Sequence, residues 1–144
     1  MADSYTQFSV MIPFPADVEQ VRAFLKVWEV ESDAAQEEDE DDWYNTYGGF
    51  EYEPRPEEGV RVHDTDRSGN VEAAALFIQR YLHDLGMKEA VYMGWANTCS
   101  KPRINEFSGG GVVITATKMY WVNSYDSLKE AADDCVDPAS IYGA

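Results

Sequence analysis

Positive charge is scarce in this chain: 11 Lys and Arg stand against 27 Asp and Glu, for a net charge of −16 at pH 7. Phosphate recognition depends on Lys and Arg, so this balance argues against direct binding to nucleic acid or to an anionic lipid surface. Cysteine is nearly absent too. Cys99 and Cys135 lie far apart and in no C-x-x-C spacing, which reads as two reduced thiols rather than a disulfide framework. The two histidines, His63 and His83, form no zinc-ligand spacing with them, so no metal and no cofactor is expected. No apolar run approaches the roughly 18 residues of a membrane span. The opening MADSYTQFSV has no basic stretch leading into an apolar one. A soluble cytosolic protein without a membrane partner is the expectation.

What the chain does have is a dense acidic block. Between Glu31 and Glu58 there are twelve acids and one base, Arg55, so this segment holds −11 of the −16. A solvent-adapted acidic protein, as in brine, would spread its carboxylates evenly. A concentrated block of like charge instead repels itself, and persists as a solvated loop or as a surface field. The residues from Ala34 to Asp42 offer nothing to a core, so a mobile acidic loop near 32–42 is expected within a single domain spanning 1–144. Aromatics follow at once: Trp43, Tyr44, Tyr47, Phe50 and Tyr52. Rings supply contact area and carboxylates supply steering. The candidate binding surface is therefore Glu37, Glu38, Asp39, Glu40, Asp41, Asp42, Trp43, Tyr44, Tyr47, Glu51 and Glu53, and its natural partner is a basic protein.

Periodicity sets the fold class. Tyr5 to Pro13 alternates, with Phe8, Val10 and Ile12 on one face, and predicts a strand. Val18, Val21, Phe24, Leu25 and Trp28 recur at helical spacing, predicting a helix from Ala16 to about Val30. Trp43 to Glu53, broken at Gly48 and Gly49, and Gly59 to Asp64 predict two neighbouring strands across a Pro-containing turn. A helix capped by Ser68 or Asn70 runs to about Leu85, with Gly86 as its stop. Strands over Ala90 to Ala96 and Gly110 to Val122, then a short helix from Tyr125 to Asp134, complete the chain. The order predicts an α+β fold with a mainly antiparallel sheet and helices on one face. Its β-α-β-β-α-β core is ferredoxin-like, extended by a strand and a short C-terminal helix.

Three further constellations carry chemistry in principle. Asp64, Asp66, Ser68, Gly69 and Glu72 match the first half of a calcium loop, but Ala75 stands where the bidentate acid belongs. A strand-to-helix turn held by Asp and Ser side chains accounts for them better. Cys99 with His63 is a conceivable nucleophile and base, although no nucleophile motif surrounds the thiol, and buried cysteines commonly just pack. Ser100, Lys101 and Arg103, ahead of Gly109, Gly110 and Gly111, are a possible anion or ligand loop. Against that reading, the two bases would pair with the protein's own carboxylates, and the glycines would permit a close backbone approach at a strand entrance.

The run Trp95-Ala96-Asn97-Thr98-Cys99-Ser100-Lys101-Pro102-Arg103, followed by Glu106-Phe107, Gly109-Gly110-Gly111, Thr115-Ala116 and Trp121, resembles a group of small acidic proteins of phages and other mobile elements. That group has no assigned activity. The resemblance implies an accessory protein, and acidic inhibitors of host nucleic-acid enzymes are common among such proteins. Together with the acid block it leads to a non-enzymatic protein that engages a basic, nucleic-acid-binding host protein. A small enzyme or ligand-binding protein built on Thr98 to Arg103, and a structural accessory subunit, are the alternatives.

Overall fold

The computed structural model describes residues 4–101 and 108–135. Its elements run β1 (Ser4–Ile12), α1 (Glu19–Glu38), α2 (Glu40–Tyr47), β2 (Phe50–Arg55), β3 (Gly59–Asp64), α3 (Val71–Asp84), β4 (Val91–Cys99), β5 (Ser108–Ile114), β6 (Met119–Asn123) and α4 (Ser124–Cys135). All six strands join one sheet in the order β2-β3-β1-β4-β5-β6, and every pairing is antiparallel. The first four strands in the order β2-β3-β1-β4 are the ferredoxin-like arrangement expected from the element order. The extension is larger than expected, two strands rather than one.

One face of the sheet carries the helices. Phe8 and Ile12 of β1, Val60 and Val62 of β3, Met93 of β4 and Val112 and Ile114 of β5 are buried there at every second position. From the helical layer come Val21, Phe24 and Trp28 of α1 and Phe77, Ile78, Tyr81 and Leu82 of α3, all buried. Their rings interlock: Phe77 sits edge-on to Trp28 at 4.9 Å and stacks on Tyr52 at 4.9 Å. Tyr81 reaches through this core to donate its hydroxyl to the Pro13 carbonyl at 2.9 Å, and burial raises its pKa to about 12. The opposite face of the sheet is open, with Met11, Tyr92, Tyr120 and Val122 exposed on it.

Several boundaries follow the expected chemistry. The Asn70 side chain accepts from the Ala73 N–H and opens α3, and Gly86 stops it at φ +63°. Asp64 ends β3 with both carboxylate oxygens occupied by backbone, one by Phe8 N–H and one by Arg67 N–H, each at 2.9 Å. The Asp64 to Asn70 stretch is thus a side-chain-held turn leading to a helix.

Three expectations are corrected. The segment expected to be a mobile acidic loop at 32–42 is helical: α1 continues to Glu38 and α2 begins at Glu40. Ala, Gln and Glu are strong helix formers, and their propensity prevails where no apolar stripe exists to reveal a helix. The strand expected from Trp43 begins only at Phe50, because Trp43 to Tyr47 belong to α2. The single strand expected over Gly110 to Val122 is a hairpin. Thr115 turns it, its Oγ1 accepting from Lys118 N–H at 3.0 Å while its own N–H donates to the Lys118 carbonyl at 2.8 Å.

Candidate interaction surface

The acid block is built as two helix ends meeting at one residue. At Asp39 the backbone is extended (φ −158°, ψ 112°), and its carboxylate accepts from the N–H groups of Asp41 and Asp42 at 3.0 and 3.2 Å. Asp39 is therefore the N-cap of α2, and Glu40, Asp41 and Asp42 occupy the first turn, where carboxylates complement the helix dipole. Glu37 and Glu38 lie at the other kind of end, the last turn of α1, where negative charge opposes the dipole and no base compensates it.

What keeps this arrangement in place is packing underneath it. Trp43 donates its indole N–H to Ser32 Oγ at 2.8 Å, tying α2 back onto α1. Tyr47 meets Trp28 edge-on at 4.9 Å. At the far end, Asn70 donates through Nδ2 to the Tyr44 carbonyl at 2.8 Å and through its backbone to the Gly49 carbonyl at 2.9 Å. Gly49 has φ +78°, and a Cβ there would stand 2.4 Å from the Cβ of Asn70, so only glycine lets α2 seat on the start of α3. Arg80 of α3 clamps the middle of α1, its Nη1 and Nη2 donating to the two carboxylate oxygens of Glu31, the latter at 2.8 Å. This fork holds the Glu31 carboxyl below its usual range and raises the Arg80 guanidinium pKa.

All six acids from Glu37 to Asp42 are exposed. Among the described residues, basic side chains pair elsewhere: Arg22 with Glu19, Arg55 with Glu53, Arg80 with Glu31 and Asp84, His63 with Glu51 and His83 with Asp84. The acid field also reaches inward. The Tyr52 phenol is raised first by burial and then by the carboxylates of Glu29 and Asp33.

The structure brings together only part of the expected surface. Glu51 and Glu53 project from the open face of β2, opposite to the helices, and each has its own partner, His63 at 3.7 Å and Arg55 at 2.9 Å. Trp43 and Tyr47 are half-buried structural side chains, Phe50 is buried, and of the expected anchors Tyr44, 42% exposed, is the accessible one. Tyr44 also walls an open cleft of about 440 Å³ with Thr6, Asn97, Trp95 and Trp121, the two indoles edge-to-face at 5.8 Å. The sequence reading missed the Asp39 cap, which Asp39-Glu40-Asp41-Asp42 ahead of aromatics at helical spacing signals.

The other constellations separate. Cys99 is buried and pairs with Ser4, whereas His63 pairs with Ser9, on the far side of β1. Five residues of strand put them about 17 Å apart along the sheet direction. They also face opposite sides: the helical layer for Cys99 and the open face for His63. Lys101 is exposed, while Arg103 lies outside the described residues, so the expected loop of Ser100, Lys101 and Arg103 is described only in part. A Cβ on Gly109 would stand 2.8 Å from the Trp95 carbonyl and one on Gly110 2.5 Å from the Trp95 ring, which is the close approach expected of this glycine run. Among the described residues, no three His, Cys, Asp or Glu side chains converge as a metal site, and no helix is long and apolar enough to cross a membrane. No family model, no curated protein and no solved structure matches the chain.

Proposed function

We propose that this chain is a non-enzymatic binding protein of a phage or other mobile element. Its acidic ridge, Glu37 to Asp42, occupies a basic, nucleic-acid-binding surface of another protein, such as a host defence component. One observation supports this above the others: six successive carboxylates, all exposed and none paired with a described base, stand on helix ends fixed by Trp43, Asn70 and Arg80. Carboxylates held rigidly cost less ordering entropy on binding than a mobile acidic tail would. Tyr44, beside the ridge, and Trp121, across the cleft, supply exposed rings for contact.

The test is capture from an extract of the source cell, with the wild-type chain and with a variant carrying Gln or Asn at Glu37, Glu38, Glu40, Asp41 and Asp42. The proposal expects one or a few basic proteins retained by the wild type, released by salt, and lost on the variant. The same proteins recovered with both chains, or none with either, would count against it.

A further inference from the structure

The cleft of about 440 Å³ beside Tyr44 lies where α3 begins, and strand register sets its floor. Thr6 of β1 stands opposite Asn97 of β4, and Trp95, two residues earlier on β4, shares their face. Trp121 of β6 stands opposite Val112, whose buried side chain marks the same helical side. Glycine at position 110 brings the two indoles together. A Cβ there would stand 2.5 Å from the Trp95 ring, so glycine lets Trp95 lie across β5 and meet Trp121 edge-to-face at 5.8 Å. Tyr44 of α2 and Glu72, in the first turn of α3, close the cleft from the helical layer.

The polar groups lining it are unequally committed. Asn97 accepts from Thr6 Oγ1 at 2.8 Å and donates to Ser108 Oγ at 2.9 Å. Asn70 accepts from the Ala73 N–H at 3.2 Å and donates to the Tyr44 carbonyl at 2.8 Å. Both amides are thus oriented by the fold's own bonds. Glu72 is exposed and, among the described residues, makes no ion pair. No Lys, Arg or His lines the cleft. Ring faces and a carboxylate without a base, in a chain of net charge −16, repel an anion and attract a cation. The same combination already holds an arginine inside this chain: Arg80 lies over the Trp28 ring at 5.5 Å while it forks onto Glu31. Arg67 likewise lies over the Tyr5 ring at 4.9 Å. A planar guanidinium stacks on a ring and bonds a carboxylate in its own plane at once, which the compact ammonium of lysine does not do.

We propose that this cleft takes an arginine side chain of the partner, its guanidinium against Trp95 and Trp121 and its fork on the Glu72 carboxylate. The inference rests on the acidic-ridge reading for the source of that arginine, a basic protein. The ridge steers any positive surface toward the chain, whereas the cleft beside it selects one side chain.

Indole N–H resonances of the full chain test the cleft directly. At about 150 mM salt, N-acetyl-arginine amide should shift the Trp95 and Trp121 signals saturably, with a dissociation constant in the millimolar range. The signals of Trp28, buried in the core, and Trp43, bonded to Ser32, should stay in place. N-acetyl-citrulline amide has the same shape without the charge and should bind at least about tenfold more weakly, and N-acetyl-lysine amide several-fold more weakly. Glu72→Gln, at an exposed side chain, should weaken the arginine probe about threefold or more while the chain stays folded. Trp121→Ala should abolish the response, and if that variant fails to fold, Glu72→Gln decides. The variant neutral at Glu37, Glu38, Glu40, Asp41 and Asp42 should keep both indole shifts and lose less affinity than Glu72→Gln. The two readings therefore fail separately: capture without a basic protein counts against the ridge, and this titration is read without any partner. An equal response to either control amide, no saturable shift up to about 50 mM probe, or a probe held as tightly by Glu72→Gln as by wild type overturns the proposal.

Discussion

Neutralising the acid block while keeping Asp39 separates its electrostatic role from its structural one. In the variant with Gln or Asn at Glu37, Glu38, Glu40, Asp41 and Asp42, the net charge falls from −16 to −11. Two effects on stability oppose each other. Glu37 and Glu38 oppose the dipole at the end of α1, and Glu40, Asp41 and Asp42 complement it at the start of α2. Each such charge is worth about 0.3–1 kcal/mol at low salt. Two unfavourable terms and three favourable ones nearly cancel, so the net change should stay within about 1 kcal/mol, or about 4 °C in melting temperature. Asp39→Ala alone should do as much harm as all five together, since it strips the cap from two N–H groups at a cost of about 1 kcal/mol. Thermal melts followed by circular dichroism, at low and high salt, read both. If the five-fold variant loses helix, or melts more than about 10 °C below wild type, the carboxylates are structural and the partition between Asp39 and its neighbours is wrong.

Glu31→Gln removes the charged half of the fork with Arg80. Because the folded carboxyl lies below its unfolded range, its contribution is present above about pH 4.3 and lost as pH falls through the folded value. Urea titrations should show the variant about 1 kcal/mol less stable at pH 7, a figure already reduced for partial exposure, with the gap closing below about pH 4. A gap that stays constant down to pH 3 would deny the linkage. Gly110→Ala should cost about 1–3 kcal/mol by overpacking against Trp95 and the Val122 carbonyl, measured by urea unfolding, and a neutral result would mean this crossing is looser than described. Cys99 should react with an alkylating reagent far more slowly in the native state than in denaturant, because it is buried in β4. Rapid native labelling would revive a role for the thiol.

Where apolar residues mark a face, the sequence is sufficient to find the element. The spacing of Phe77, Ile78, Tyr81 and Leu82, with Asn70 and Gly86 at its ends, locates α3 almost to the residue, and β3 runs over Gly59–Asp64 as expected. Periodicity fails where an element has no buried stripe. Beyond Trp28, α1 buries no side chain, and its last turns rest on helix propensity and on the Arg80 and Ser32 contacts, which join residues distant in sequence. The turn after Ile114 escapes notice for a related reason: it has no Gly or Pro, and Thr115 makes it with its own hydroxyl. The surface was legible in charge but not in geometry. Alternation along β2 sends Glu51 and Glu53 to one side and Phe50 and Tyr52 to the other, and sheet register then removes both acids from the ridge they were expected to extend.

The most direct measurement is competition. A fluorescently labelled nucleic acid, bound to the basic partner recovered by capture, is titrated with this chain while its anisotropy is followed. The account predicts displacement by the wild type, with an affinity that falls steeply as salt rises, and at least about tenfold weaker displacement by the five-site neutral variant. Simultaneous binding of chain and nucleic acid to the partner, or equal displacement by both chains, would contradict the acidic ridge as a stand-in for phosphates.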